Sequence, residues 1–122
     1  MNLDCKRIFK DNGIDVYESI DNLMGMEELY DDLLLEFLND ENFEIIKNQL
    51  DSGNIRAAFE ASHALKGVAG NLGMSRFYRK LHPVVEKLRN DDIADIEPML
   101  ETVEEEYRTI KNLIEENIKK EV

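Results

Sequence analysis

Residues 62–73 read SHALKGVAGNLG and bring together a histidine, a lysine three residues later and glycines at 67, 70 and 73. An exposed imidazole titrates at about 6.5 and is largely neutral at pH 7, so one ring nitrogen of His63 is available as a nucleophile that can form a covalent intermediate. Lys66 follows one helical turn later, where its ammonium can reach an anionic group attached to that ring. Gly67 is also one turn away and, lacking a side chain, leaves the imidazole approachable. A glycine inside a helix costs about 1 kcal/mol relative to alanine, so Gly67 and Gly70 call for a reason. For Gly70, close helix packing and access to the histidine stand as equal alternatives.

Other chemistries find little support. The chain carries a net charge of −12, which argues against nucleic acid and against anionic membrane surfaces. Its two histidines, His63 and His82, have no metal-ligand spacing on one helix, so no metal site is expected. Carboxylates abound, yet no pair stands out as a general acid and base. There is no phosphate loop of the GxxxxGK[ST] type. Cys5 is the single cysteine, which excludes an internal disulfide and suits a reducing compartment. With no signal-peptide pattern at the N-terminus and no apolar run long enough to span a bilayer, a cytoplasmic protein is expected. The initial methionine leans toward a free-standing protein over an excised domain.

The elements that must position His63 read as helices throughout. Strand signals are scarce, only two prolines occur, and 43% hydrophobic residues suffice for a core in a single domain spanning 1–122. Short helices are expected over 3–11 and 14–23. Longer ones follow over 26–39 and 41–51, either as two helices or as one bent helix. The apolar stripe of this stretch is Leu29, Leu33, Leu34 and Phe37, continuing with Phe43, Ile46 and Leu50. A turn at 51–54 leads into a helix over 55–72 capped by Asn54 and ended by Gly73. Ser75 is the candidate cap of the next helix, 75–90, whose inward residues are Phe77, Leu81, Val84 and Leu88. Pro83 should kink or split it. The last helix, 95–119, tolerates Pro98 in its first turn and carries Leu100, Val103, Tyr107, Ile110, Ile114 and Ile118. The pattern predicts an all-α, up-and-down antiparallel four-helix bundle with a core over about 26–119 and the short N-terminal helices capping one end. Because such a bundle buries its own stripes, a monomer is expected.

At 100° per residue, Ala58, Ala61, Leu65, Val68 and Leu72 fall opposite His63 and define the buried stripe. His63 therefore faces outward, with Arg56, Phe59, Glu60, Lys66, Gly67 and Gly70 within about 60° of it. Phe59 reads as an exposed aromatic suited to docking a partner. Charge is segregated. Residues 52–90 carry +5, against −9 for 21–51 and −7 for 91–122. Arg56, Lys66, Arg76, Arg79, Lys80, Lys87 and Arg89 make this hairpin a basic island, attractive to an anionic ligand or an acidic partner.

His63-Ala64-Leu65-Lys66-Gly67, followed by Leu72-Gly73, resembles the H-x-L-K-G…L-G motif of histidine-containing phosphotransfer (HPt) domains, the phosphoryl carriers of two-component phosphorelays. MEELYDDLLLEFLND, LDSGNIRAAFEASHALKG and the acidic closing helix resemble that family in the same order, over about residues 14–118. The resemblance implies that His63 is the phosphoacceptor through Nε2, that Lys66 stabilises the phosphoryl oxygens and that Gly67 gives steric access. It implies a carrier with no ATP site or cofactor of its own. Its partners would be response-regulator receiver domains, which hold the Mg²⁺ and the aspartate, and a hybrid sensor histidine kinase. Some relatives place a glutamine on the neighbouring helix where Val85 stands here. His82 and Arg89, expected beside His63 on that helix, are the candidates to assist instead. Two alternatives remain: a receiver-binding adaptor without phosphotransfer, and the phosphoacceptor domain of a chemotaxis-type kinase.

Overall fold

Seven helices and no strand make up residues 1–118, the part of the chain that the computed structural model describes. They are α1 (Leu3–Asp11), α2 (Val16–Asn22), α3 (Glu27–Phe37), α4 (Asn42–Asp51), α5 (Ile55–Asn71), α6 (Ser75–Arg89) and α7 (Ile96–Asn117). Stretch 26–51 is thus two helices, separated at 38–41. Lys119, the last residue of the expected final helix, lies outside the described residues.

Local chemistry explains most of the boundaries. The Asn2 side chain accepts from Cys5 N at 2.8 Å, and Asn54 accepts from Ala57 N at 3.2 Å. Each satisfies a first-turn amide that has no helical partner. Ser75 does not cap α6. Met74 is the cap residue, and the Ser75 hydroxyl instead donates to Asp15. Nor does Pro83 split α6, which runs unbroken across it. Proline lacks the N–H that would bond the Arg79 carbonyl. Pro83 and Arg79 are both exposed, so water can take that carbonyl. Buried Leu81, Val84, Val85 and Leu88 hold the helix on either side.

The strongest packing runs α4 on α5, α5 on α6 and α6 on α7, with α3 also reaching α7. Tyr107 of α7 joins several of these helices. Its ring lies 5.6 Å from Phe37, 5.1 Å from Phe43 and 6.1 Å from Phe77, and its hydroxyl donates to the Asp40 carbonyl at 3.2 Å. Burial pushes the Tyr107 phenol up from its ordinary value. The α3 stripe is turned from its expected position: Tyr30, Leu34 and Phe37 are buried, whereas Leu29 is exposed and Leu33 half-buried. Tyr30 wins because its hydroxyl donates to the buried Leu72 carbonyl at 2.7 Å, uniting a large apolar contact with a satisfied polar atom.

That bond anchors the α5–α6 turn from one side, and the N-terminal segment anchors it from the other. Asp15 N donates to Gly73 O at 2.7 Å, and Ile14 bridges to Met74. Gly73 has φ +72°, and a Cβ there would lie 2.2 Å from Ser19 Oγ and 2.8 Å from Asp15 O. Only glycine fits this conformation and this approach. The turn that sets α5 against α6 is therefore held by Tyr30 of α3 and by the Ile14–Asp15 segment between α1 and α2.

Candidate functional site

Helix α5 buries Ala58, Ala61, Leu65, Ala69 and Leu72, and this leaves His63 exposed on the opposite face. Val68, expected in the stripe, is half-buried, while Ser62 is buried and donates to Phe59 O at 2.8 Å. Toward the C-terminal end of α5 from His63, Ala64, Gly67 and Gly70 are all exposed, so that flank of the imidazole carries small side chains. A Cβ on Gly67 would meet nothing within 4 Å. Packing does not explain that glycine. A Cβ on Gly70 would touch the Tyr78 ring at 3.4 Å, an ordinary contact, so close packing does not require that glycine either.

Phe59 is not the exposed docking aromatic expected from the helical wheel: it is only 9% accessible. The Arg56 guanidinium lies over its ring at 5.3 Å, and Arg89 reaches it from α6 at 5.0 Å. His63 stacks on it with centroids 5.8 Å apart and planes 22° from parallel. Phe59 is thus a platform under the imidazole. His63 makes no hydrogen bond among the described residues, so neither ring nitrogen is committed.

Lys66 is held toward α6. Its Nζ lies 2.8 Å from His82 Nδ1 and 5.0 Å from the centre of the Tyr78 ring. An ammonium only donates, so Nδ1 of His82 accepts, and the proton of that ring sits on Nε2. The helices face each other in one register, with Gly70 beside Tyr78, Lys66 beside His82 and Phe59 beside Arg89. His82 is therefore level with Lys66, one turn from its expected place beside His63. Val85 is the residue level with His63, and it is fully buried, which leaves the imidazole no polar neighbour from that position. Tyr78 escaped notice in the sequence. Its spacing of four residues from His82 was the available signal, since that spacing puts both on one face of α6.

The basic island is smaller than its formal charge. Arg76 and Lys80 both bind the buried Glu106 carboxylate of α7, at 2.7 and 3.5 Å. Arg56 pairs with Glu60 at 3.2 Å, Lys87 with Asp92 at 3.0 Å and Arg89 with Glu86 at 3.5 Å. Lys66 and Arg79 are the cations of the island with no carboxylate partner among the described residues.

His63 is exposed and lines neither of two concavities found among the described residues. A concavity of about 590 Å³ lies elsewhere, between α4 and the start of α7, with Phe43, Leu50, Ile96 and Pro98 among its lining residues. Among the described residues no cluster of three or more His, Cys, Asp or Glu is arranged to hold a metal ion, and no helix is long and apolar enough to cross a membrane.

The described residues form an all-helical domain that presents an exposed imidazole on α5. The Hpt domain family model matches residues 21–116, and the chain belongs to that family. No solved structure matches the chain. Hpt domains are phosphocarrier modules of two-component and phosphorelay signalling, and their partners are response-regulator receiver domains.

Proposed function

We propose that this protein is a phosphorelay intermediate in which His63 accepts a phosphoryl group from a receiver aspartate and passes it to a second receiver. The observation that carries the proposal is the exposed, uncommitted imidazole of His63 above an open Gly67, inside the span matched by the Hpt family. In the forward step the Nε2 lone pair attacks the phosphorus of an aspartyl phosphate. The N–P bond forms as the acyl phosphate P–O bond breaks, and the carboxylate leaves with that electron pair. The ring carries the positive charge until its Nδ1 proton is released. The second transfer reverses the step on another aspartate. Lys66 supplies charge to the phosphoryl oxygens. The Mg²⁺ and the acidic pocket belong to the receiver, and the carrier itself needs no cofactor.

An exposed nucleophile suits this division of labour, because a partner site can close over it. The donor is assigned as a hybrid sensor kinase, and the carrier as a cytoplasmic monomer. The domain is taken as the whole of 1–122. The packing of α4 on α5, α5 on α6 and α6 on α7, with α3 against α7, supports the up-and-down antiparallel four-helix bundle, and the contacts of Ile14 and Asp15 with the α5–α6 turn support the N-terminal helices as its cap.

The test is phosphotransfer from a panel of phosphorylated receivers with Mg²⁺, beside His63→Gln. Acid-labile, base-stable label on the wild type and none on the variant is the expected result. Receiver binding without label from any member of the panel would refute the relay and leave a receiver-binding adaptor.

A further inference from the structure

We propose that His82 and Tyr78 form a resting seat for Lys66, and that a phosphoryl group on His63 draws the lysine out of it. The seat is a contact within the free protein; the competition for it rests on the assignment of His63 as phosphoacceptor.

The partners of Lys66 are both neutral. His82 Nδ1 accepts from its ammonium at 2.8 Å, and the Tyr78 ring lies 5.0 Å away. The nearest carboxylate along α6, Glu86 one turn beyond His82, is paired with Arg89 at 3.5 Å. From α5 the charged group facing His82 is Lys66 itself, and along α6 the others within a turn are Arg79 and Glu86. A lysine paired to an acid would resist displacement by another anion. A lysine on an imidazole and a phenol ring at the surface gives way to a phosphate dianion one turn from its own Cα, because the dianion adds a charge–charge attraction to the ammonium that neither neutral partner offers. His82 is thus a positioning residue. It holds the cation on α6 while His63 is free and yields it after transfer.

The rest of the hairpin builds this seat. Tyr78 and His82 share a face of α6 by their four-residue spacing, and Gly70 of α5 lies against the Tyr78 ring, where a Cβ would be in ordinary contact at 3.4 Å. The Gly73 turn fixes the register that sets His82 level with Lys66.

The test uses the full chain labelled with ¹⁵N in its imidazoles. In the free protein the His82 Nδ1 resonance should show a hydrogen-bonded acceptor, and Lys66→Met should move it toward an unbonded one. Chemical phosphorylation of His63 by phosphoramidate should move it the same way in the wild type and leave it still in Lys66→Met. In the second arm His82→Phe keeps the ring and removes the acceptor. It should raise the equilibrium fraction of phosphohistidine against a receiver about two- to fivefold, the range of an exposed charge contact. That gain should vanish in the Lys66→Met background. A His82 resonance indifferent to Lys66→Met would overturn the seat. A fall in phosphohistidine with His82→Phe, or an equal change in both backgrounds, would overturn the competition. Absence of label on His63, with the Lys66-dependent resonance intact, would overturn the phosphoacceptor assignment and the competition together while upholding the seat.

Discussion

Replacing Gly67 should make the protein more stable and a worse carrier. A Cβ at 67 meets no atom within 4 Å, and the residue lies well inside α5, so Gly67→Ala gains helix propensity and sacrifices no contact. The expected gain is about 0.5–1 kcal/mol, or roughly 2–5 °C in Tm for a chain of this size. Gly67→Leu should fold as well as Gly67→Ala, since leucine is nearly as good a helix former. In the proposed relay, however, its side chain fills the space beside His63 through which a receiver would reach the imidazole. Overfilling a fitted contact costs about 1–3 kcal/mol, which is roughly a five- to 150-fold loss in transfer rate. Urea unfolding measures the first quantity, and initial rates of label transfer from one phosphorylated receiver measure the second. A destabilised Gly67→Ala would refute the open face described around residue 67. A stable Gly67→Leu that transfers at the wild-type rate would show that receivers approach His63 from another side.

Gly73→Ala should be destabilised by about 2–4 kcal/mol, combining the left-handed backbone with a clash against the Asp15 carbonyl, whereas Gly53→Ala, at φ +77° with nothing within 4 Å, should lose only about 1–2 kcal/mol; equal losses in urea unfolding would disprove the docking of the N-terminal segment on this turn. Tyr30→Phe should cost about 1–3 kcal/mol by orphaning the buried Leu72 carbonyl, and an unchanged unfolding midpoint would show that the carbonyl has another partner. The Lys6–Glu27 hydrogen bond lowers the Glu27 carboxyl below its ordinary 4.5 and raises the Lys6 ammonium above its ordinary 10.5. Stability from the depressed Glu27 is present above 4.5 and is lost as pH falls through its folded value; stability from the raised Lys6 is present below 10.5 and is lost as pH rises through its folded value. Glu27→Gln should therefore cause a small loss that is constant at neutral pH, fades in acid and shrinks with salt, and a loss that persists in acid would rule out the ion pair as its source.

Most of the helical plan could be read from sequence because it rests on near neighbours. The expected boundaries of α1, α5 and α6 fall within a residue of those observed, since Asn2, Asn54 and Gly73 act through the amides and torsions beside them. Tyr30 displaced Leu29 in the buried stripe of α3 because its hydroxyl found the Leu72 carbonyl, 42 residues away. Ser75 looked like a cap and became a partner of Asp15, 60 residues away. No local periodicity encodes such contacts.

The site divides along the same line. That His63 points outward, with Lys66 and Gly67 one turn on, follows from the sequence alone, because 100° per residue and the apolar stripe of α5 fix which face meets water. Three features depended on how α6 lies against α5: the burial of Phe59 under Arg56 and Arg89, the partnership of Lys66 with His82, and the burial of Val85 level with His63. The same holds for Arg76 and Lys80, basic in sequence but spent on Glu106 of α7. A helix's own sequence decides which residues share a face. Which of them meet a second helix depends on the register between the two, and here a single glycine turn, held by Tyr30 and Asp15, sets that register.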